Sequence, residues 1–156
     1  MEQGFVKVAS ATPRIRVADP VYNAQVICEQ AKEAAEHGAK IVVFPELCIT
    51  GYTCNDLFLQ ELLLEKAKEA LLTIAEETGQ LETLFLVGLP VDKDGRLYNV
   101  AAVLYRGRIL GMIPKKNIPM YAEFYEGRHF TPGEETVTEY RLGKQVIPFG
   151  SSLLFR

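Results

Sequence analysis

The sequence is poor in the residues that most often build metal centres and disulfide frameworks. Its 156 residues hold three cysteines (Cys28, Cys48, Cys54) and two histidines (His37, His129). An odd cysteine count without ligand spacing excludes a disulfide scaffold and offers no zinc pattern, so the thiols read as reduced ones in a cytoplasmic protein. His129 has no second histidine near it and His37 falls in a helix's last turn, so no metal site is expected. Neither charge sign is in excess: 17 Lys+Arg stand against 20 Asp+Glu, a net charge of −3. That balance gives no pull toward nucleic acid or an anionic membrane. No apolar run approaches the roughly 18 residues that span a bilayer. Met1-Glu2-Gln3-Gly4 lacks the basic and apolar blocks of a signal peptide. There is no G-x-S-x-G elbow, and Gly88-Leu89-Pro90 lacks the spacing of a phosphate loop. No internal repeat, linker or low-complexity segment interrupts the chain. What remains is ordinary: 48% apolar and 24% charged, the composition of one globular domain.

The patterning predicts an α/β chain. Phe5 to Ala11 alternates and is rich in β-branched residues, so it reads as a strand. Asp19-Pro20 reads as an N-cap and first-turn proline of a helix that runs to His37, with Gly38 as its stop. Ile41 to Phe44 is a short continuous apolar run, expected for a strand buried on both faces, and Pro45 closes it. A second helix is expected from about Leu57 to Thr78. Leu84 to Gly88 reads as the next buried strand. Beyond Pro90, turns at Asp92 to Gly95 and at Arg106-Gly107 bracket strands at Tyr98 to Tyr105 and Ile109 to Ile113, an antiparallel hairpin. Pro114 to Gly133 lacks a period and reads as an ordered loop. Val137 to Tyr140 and Gln145 to Phe149 suggest a second hairpin. The apolar end, Ser151 to Arg156, reads either as a docked terminal strand or as a chain cut inside a larger domain.

Three places can carry chemistry. Glu46 stands past a strand end, where open α/β sheets bind ligands and where partial burial raises a carboxylate's proton affinity toward that of a base; such an acid can equally cap a helix or face solvent. Lys115 stands past another strand end and can stabilise charge on a carbonyl oxygen, or can be a solvated surface lysine. Tyr121, Phe124, Tyr125 and Phe130, interleaved with Glu123, Glu126, Arg128 and His129, can line a pocket or form a packed loop.

Two of these places fall in ordered motifs. Phe44-Pro45-Glu46-Leu47-Cys48-Ile49-Thr50-Gly51-Tyr52 resembles the glutamate motif of the nitrilase-like carbon–nitrogen hydrolases. The stretch from Lys115 through Ile118-Pro119 and Tyr121 to Phe124 and Glu126 resembles their lysine motif. Gly88-Leu89-Pro90, Leu97 to Ala101 and Gly107 to Gly111 fit between them. Within that superfamily, Gly51 to Phe58 followed by a Leu-rich helix is most similar to the N-terminal glutaminase domain of glutamine-dependent NAD synthetases.

The resemblance implies a partial α-β-β-α sandwich and a Cys-Glu-Lys catalytic set acting on glutamine. Glu46 would match the general base and Lys115 the oxyanion-stabilising lysine. Tyr121 would match a glutamine contact, Tyr52 and Phe124 an aromatic wall, and Glu126 a further glutamate of the pattern. No cysteine stands in the nucleophile's place in the motif order. Residues 1–156 are therefore expected to be the N-terminal part of such a domain, ending before the nucleophile and without glutaminase activity of its own. The resemblance implies that a synthetase domain using ATP and Mg is expected to lie outside this stretch, so no cofactor is expected on it. Partners implied are glutamine and further copies of the chain. Three other readings stay open: another amidase or N-carbamoyl amino acid hydrolase of the superfamily, a non-catalytic half-domain kept for oligomer contacts, and a small α/β domain without a site.

Overall fold

Apolar residues recurring every third and fourth position give two amphipathic helices, and alternating residues give strands with one greasy face. In the computed structural model, which describes residues 4–155, these combine as one seven-stranded sheet with a helix pair on one face. Met1 to Gln3, on which the signal-peptide reading rests, and Arg156, the last residue of the apolar end, lie outside the described residues.

The first strand β1 (Val8–Ser10) leads to helix α1 (Pro20–Glu36) and strand β2 (Ile41–Val43). The Asp19-Pro20 reading holds: Asp19 Oδ1 accepts a hydrogen bond from the Tyr22 amide at 3.1 Å, and Pro20 opens the helix. Helix α2 (Glu61–Glu77) then precedes the long strands β3 (Leu84–Lys93), β4 (Arg96–Tyr105) and β5 (Arg108–Pro114). A hairpin of β6 (Thr138–Leu142) and β7 (Gln145–Phe149) completes the sheet, whose order is β1-β2-β3-β4-β5-β7-β6. The β1–β2, β2–β3 and β5–β7 pairs are parallel; β3–β4, β4–β5 and β6–β7 are antiparallel. Both turns of the β3–β4–β5 meander carry two successive positive φ angles, at Asp94-Gly95 and at Arg106-Gly107. That is the hairpin geometry matching the right-handed twist of the strands.

The core lies between the helix pair and one sheet face. Ile27 and Ala31 of α1 and Leu71 and Ile74 of α2 meet Val42, Phe85, Val87, Leu89, Ala102, Leu104 and Met112, all essentially inaccessible. Each large side chain there stabilises the fold by about 1.5–3 kcal/mol relative to exposure. The opposite face departs from the sequence reading. Val8 and Val43 are 64% and 44% exposed, and Leu84 and Leu86 are half-buried. The runs at Ile41 and Leu84 were expected to be covered on both faces; they alternate because the two helices cover one face only. Near Gly111 that second face meets Leu153 and Phe155, which an added Cβ would strike at 2.9 and 2.8 Å. Residues 151–155 form no strand, so the docked-strand reading of this segment is not met.

Three element boundaries also shift. Helix α2 begins at Glu61, and residues Tyr52–Leu59 before it form two short 3-10 turns joined at Asn55, φ +49°. Strand β3 continues through Pro90 to Lys93. The long loop after β5 holds one 3-10 turn, Glu126–Arg128. The chain is thus α/β, one helix layer on one sheet layer, which fits half of the α-β-β-α sandwich that the resemblance implies.

Candidate active site

The site is built where β2 and β5 end. After β2 the Phe44 amide still donates to Leu86 O at 2.9 Å, holding the chain against β3 for one more residue. It then turns tightly. The Cys48 amide donates to Pro45 O at 3.2 Å, and the Thr50 and Gly51 amides converge on Leu47 O at 3.1 and 2.7 Å. Leu47 adopts φ +52°, a left-handed conformation that costs a branched residue about 1–2 kcal/mol. The turn presses on Gly88: a Cβ there would sit 2.7 Å from Pro45 O and 3.0 Å from the Glu46 carbonyl carbon, and would strike the Leu47 amide. Only glycine permits that approach. The strained Leu47 is held by a second small core with Cys54, Phe58, Leu63 and Phe130. Asn23, fully buried, bonds the Arg16 backbone on both sides and donates to Ile49 O at 2.9 Å, fixing the turn from behind.

Lys115 leaves β5 with its amide donating to Asn99 O at 2.7 Å and its carbonyl accepting from Gly133 at 2.8 Å. Its ammonium then spans two carboxylates. It donates to Glu46 Oε1 at 2.6 Å and to Glu126 Oε1 and Oε2 at 2.9 and 3.0 Å. The side chain of Glu126 is 5% exposed and that of Glu46 41%. Tyr52 donates its hydroxyl to Glu126 Oε1 at 2.9 Å. Asn99, on β4 and 3% exposed, donates its side-chain amide to Glu46 Oε1 at 2.5 Å. Both donors to Glu46 therefore meet one oxygen. Among the described residues nothing bonds Oε2, which is left as a free acceptor.

Burial by itself pulls the Lys115 pKa down, but the hydrogen bonds it donates to the two carboxylates and their charge outweigh it and leave it raised. Tyr52 is pushed up to about 12 by partial burial first, then by its bond to Glu126 and the nearby glutamate charges. At neutral pH the cluster therefore holds a firmly charged ammonium and a neutral phenol.

The cluster borders two cavities. One, of about 370 Å³, lies on the open sheet face and is lined by Glu46, Asn99 and Lys115 among apolar neighbours such as Val43, Leu86 and Ile113. The other, of about 320 Å³, is lined by Tyr52, Phe58, Glu123, Glu126, His129 and Phe130, among others. Of the residues singled out in the sequence, Glu46, Lys115, Glu126 and Tyr52 come together. Tyr121 and Phe124 do not: Tyr121 is 68% exposed, stacks edge-on to Phe124 at 5.5 Å, and neither lines either cavity. Lys116 faces outward and pairs with Glu135.

No cysteine lines either cavity. Cys48 is buried behind the turn, its thiol donating to Gly88 O at 3.6 Å, and burial raises its pKa to about 11. Burial likewise raises Cys54, which donates to Thr50 O at 3.2 Å, and lifts Cys28 on α1 to about 11. These thiols stay protonated and unreactive near neutrality. Among the described residues no group of three metal-ligating side chains converges, and no helix is long and apolar enough to cross a membrane.

Asn99 is given no role in the sequence, where Tyr98 to Tyr105 reads as a strand and Leu97 to Ala101 only fits between the two motifs. The available signal was a polar amide at the middle of an apolar strand, which must find a partner when buried.

The carbon-nitrogen hydrolase family model matches residues 7–151. The chain is 39% identical over 154 residues to glutamine-dependent NAD(+) synthetase of Mycobacterium tuberculosis, covering 99% of the chain and 23% of that protein. It is 34% identical over 143 residues to the synthetase of the same name from Acinetobacter baylyi, covering 92% of the chain and 26% of that protein. The crystal structure of a glutamine-dependent NAD(+) synthetase from Cytophaga hutchinsonii superimposes with a TM-score of 0.87 at 29% identity, over 93% of this chain and 25% of that one. The chain thus spans about a quarter of the length of the curated relatives it matches, at their N-terminal end. On the matched family model, the identity to these relatives and the shared fold, the chain belongs to the carbon–nitrogen hydrolase family.

Proposed function

We propose that this chain supplies the general base and the charge-stabilising cation of a glutamine amidohydrolase, the ammonia-releasing part of a glutamine-dependent NAD synthetase. The observation that carries the reading is the Lys115 ammonium shared between Glu46 at one strand end and buried Glu126. A carboxamide is a poor electrophile with a poor leaving group. A thiolate attacks it well, yet a free cysteine is only a few per cent ionised near neutrality. In this reading Glu46 takes the thiol proton on Oε2 and later gives it to the departing ammonia. Lys115 faces the carbonyl oxygen as its negative charge develops, an interaction that lowers the barrier by about 3–4 kcal/mol in comparable sites. All three of its N–H groups are engaged by carboxylates, so the oxyanion displaces one of them. Water then resolves the thioester to glutamate.

The thiol itself comes from outside these 156 residues, because Cys28, Cys48 and Cys54 are buried away from both cavities. This chain alone is accordingly inactive and takes no adduct from a glutamine-mimicking electrophile. No residue here is assigned to ATP or Mg; those belong to the amidation of nicotinic acid adenine dinucleotide.

A chimaera tests the reading: this chain replaces the matching N-terminal quarter of the M. tuberculosis relative. Ammonia release from glutamine is expected, with Glu46→Gln and Lys115→Met each lowering it by roughly a hundredfold or more. Retained ammonia-driven NAD formation reports a folded protein. A chimaera that makes NAD from ammonia but releases none from glutamine sinks the assignment, as does an electrophile adduct on Cys48 or Cys54 of the isolated chain.

A further inference from the structure

The Lys115–Glu126–Tyr52 cluster depends on two segments that no strand or helix joins. Tyr52 rides on the 3-10 segment Tyr52–Leu59, and Glu126 on the turn Glu126–Arg128. Their inner contact is the Tyr52–Glu126 hydrogen bond. Their outer contact is more elaborate. The Asp56 carboxylate accepts from Arg128 Nε and Nη2 at 3.0 Å each, a two-pronged pair, and lies 3.0 Å from His129 Nε2. A carboxylate only accepts, so His129 carries its proton on Nε2 there. The His129 ring is itself anchored. Its side chain is 8% exposed and meets the edges of Phe58 at 5.8 Å and Phe130 at 6.4 Å. Phe58 and Phe130 pack together with Leu47, the residue after Glu46.

We propose that Asp56 is a positioning residue: with Arg128 and His129 it latches the Tyr52 segment to the Glu126 turn and so holds Glu126 on Lys115. The latch touches no reacting atom. It acts at the closed end of a chain of contacts running from Asp56 through Arg128 and His129 to Glu126, and from Glu126 to the Lys115 ammonium. Fork-shaped Arg–carboxylate pairing suits this task, because it fixes orientation as well as distance. The carboxylate has three donors from one turn and none from its own segment, so its bonds cross the gap rather than stiffen one side. The inference deepens the reading of Lys115 and Glu126 as site residues, but its test needs no turnover, so the two fail separately.

The test follows hydrogen exchange of the Lys115 ammonium by ¹⁵N NMR in this chain near neutral pH, the signal being assigned by its loss in Lys115→Arg. Exchange is base-catalysed, so plain electrostatics predicts opposite effects from two exposed-site changes. Asp56→Asn removes negative charge and speeds exchange; Arg128→Met removes positive charge and slows it. A latch predicts the same direction for both, exchange faster by about three- to fivefold, because either change frees Glu126 to leave the ammonium. Amide spectra of the helix pair unchanged in both variants show that the fold is kept. Faster exchange in both supports the latch. Opposite signs, or no change in either variant, overturn it.

Discussion

The β3–β4–β5 meander with its two backing helices and the loops that carry the candidate site are held by different forces. The meander is stabilised by area: Phe85, Val87, Leu89, Leu104 and Met112 are all nearly inaccessible, and their contribution is spread over many contacts. The loops around Lys115 bury a smaller core of five residues and are held by a few polar contacts, each dependent on its neighbours. Distributed burial tolerates the loss of one contact in place; a short chain of polar contacts does not. The two regions should therefore respond to mutation in different ways, stability failing in one and geometry in the other.

The largest expected effect lies in the meander. Phe85→Ala empties a fully packed position and should cost about 3–5 kcal/mol, read as a lower denaturant midpoint. If the regions are separable, the Lys115 ammonium of the folded fraction exchanges at its original rate. A faster rate would show that the sheet core and the site are one unit.

Gly88→Ala probes the place where the regions meet. The new methyl would collide with Pro45 O and the Glu46–Leu47 backbone, which are not flexible side-chain ends. A stability loss of about 1–3 kcal/mol is expected. Here, unlike at Phe85, the Glu46–Lys115 contact should open as well, seen as loss of the protected Lys115 ammonium signal. A variant that loses stability with that signal intact would mean the turn moves as a rigid body and carries Glu46 with it.

The same division explains what was legible in the sequence. Helix α1 could be read to its cap because Asp19 and Pro20 act locally, on the backbone next to them. The β4–β5 turn was legible because Arg106-Gly107 needs two positive φ angles and the sequence supplies a glycine. Pro90 misled, since a proline usually ends a strand. Beyond Leu86, however, β3 has no strand on its β2 side, so the missing N–H forfeits no ladder bond. The start of α2 misled for a non-local reason. Leu57 to Leu59 has helical propensity, but Asp56 and Tyr52 are drawn across to a turn, over 72 and 74 residues, and tertiary contacts override local preference. Glu46 and Lys115 stood out by their places past strand ends, but position left a surface role equally open, and only the resemblance of their motifs to a family's gave them roles. Their meeting across sixty-nine residues is a product of sheet order, which no local pattern encodes.

The smallest effect is a pH dependence, and its sign follows from the raised pKa values of Lys115 and Tyr52. A group whose pKa is higher folded than unfolded contributes stability below its unfolded value and loses it as the pH climbs through the folded one. Both groups lie in that class, so the site contributes fully at neutral pH and weakens from about pH 10 upward, the ordinary range of free tyrosine and lysine. Tyr52 completes its loss near 12. Tyr52→Phe removes one of them, together with a hydrogen bond whose loss costs about 1 kcal/mol or less at so exposed a site. Its denaturant midpoint should therefore fall less between pH 9 and pH 11 than that of the parent chain, while Phe85→Ala falls in parallel with the parent. An equal fall in all three would place the alkaline sensitivity in the other tyrosines and lysines of the molecule, and the contrast between a polar site and an apolar scaffold would lose its support.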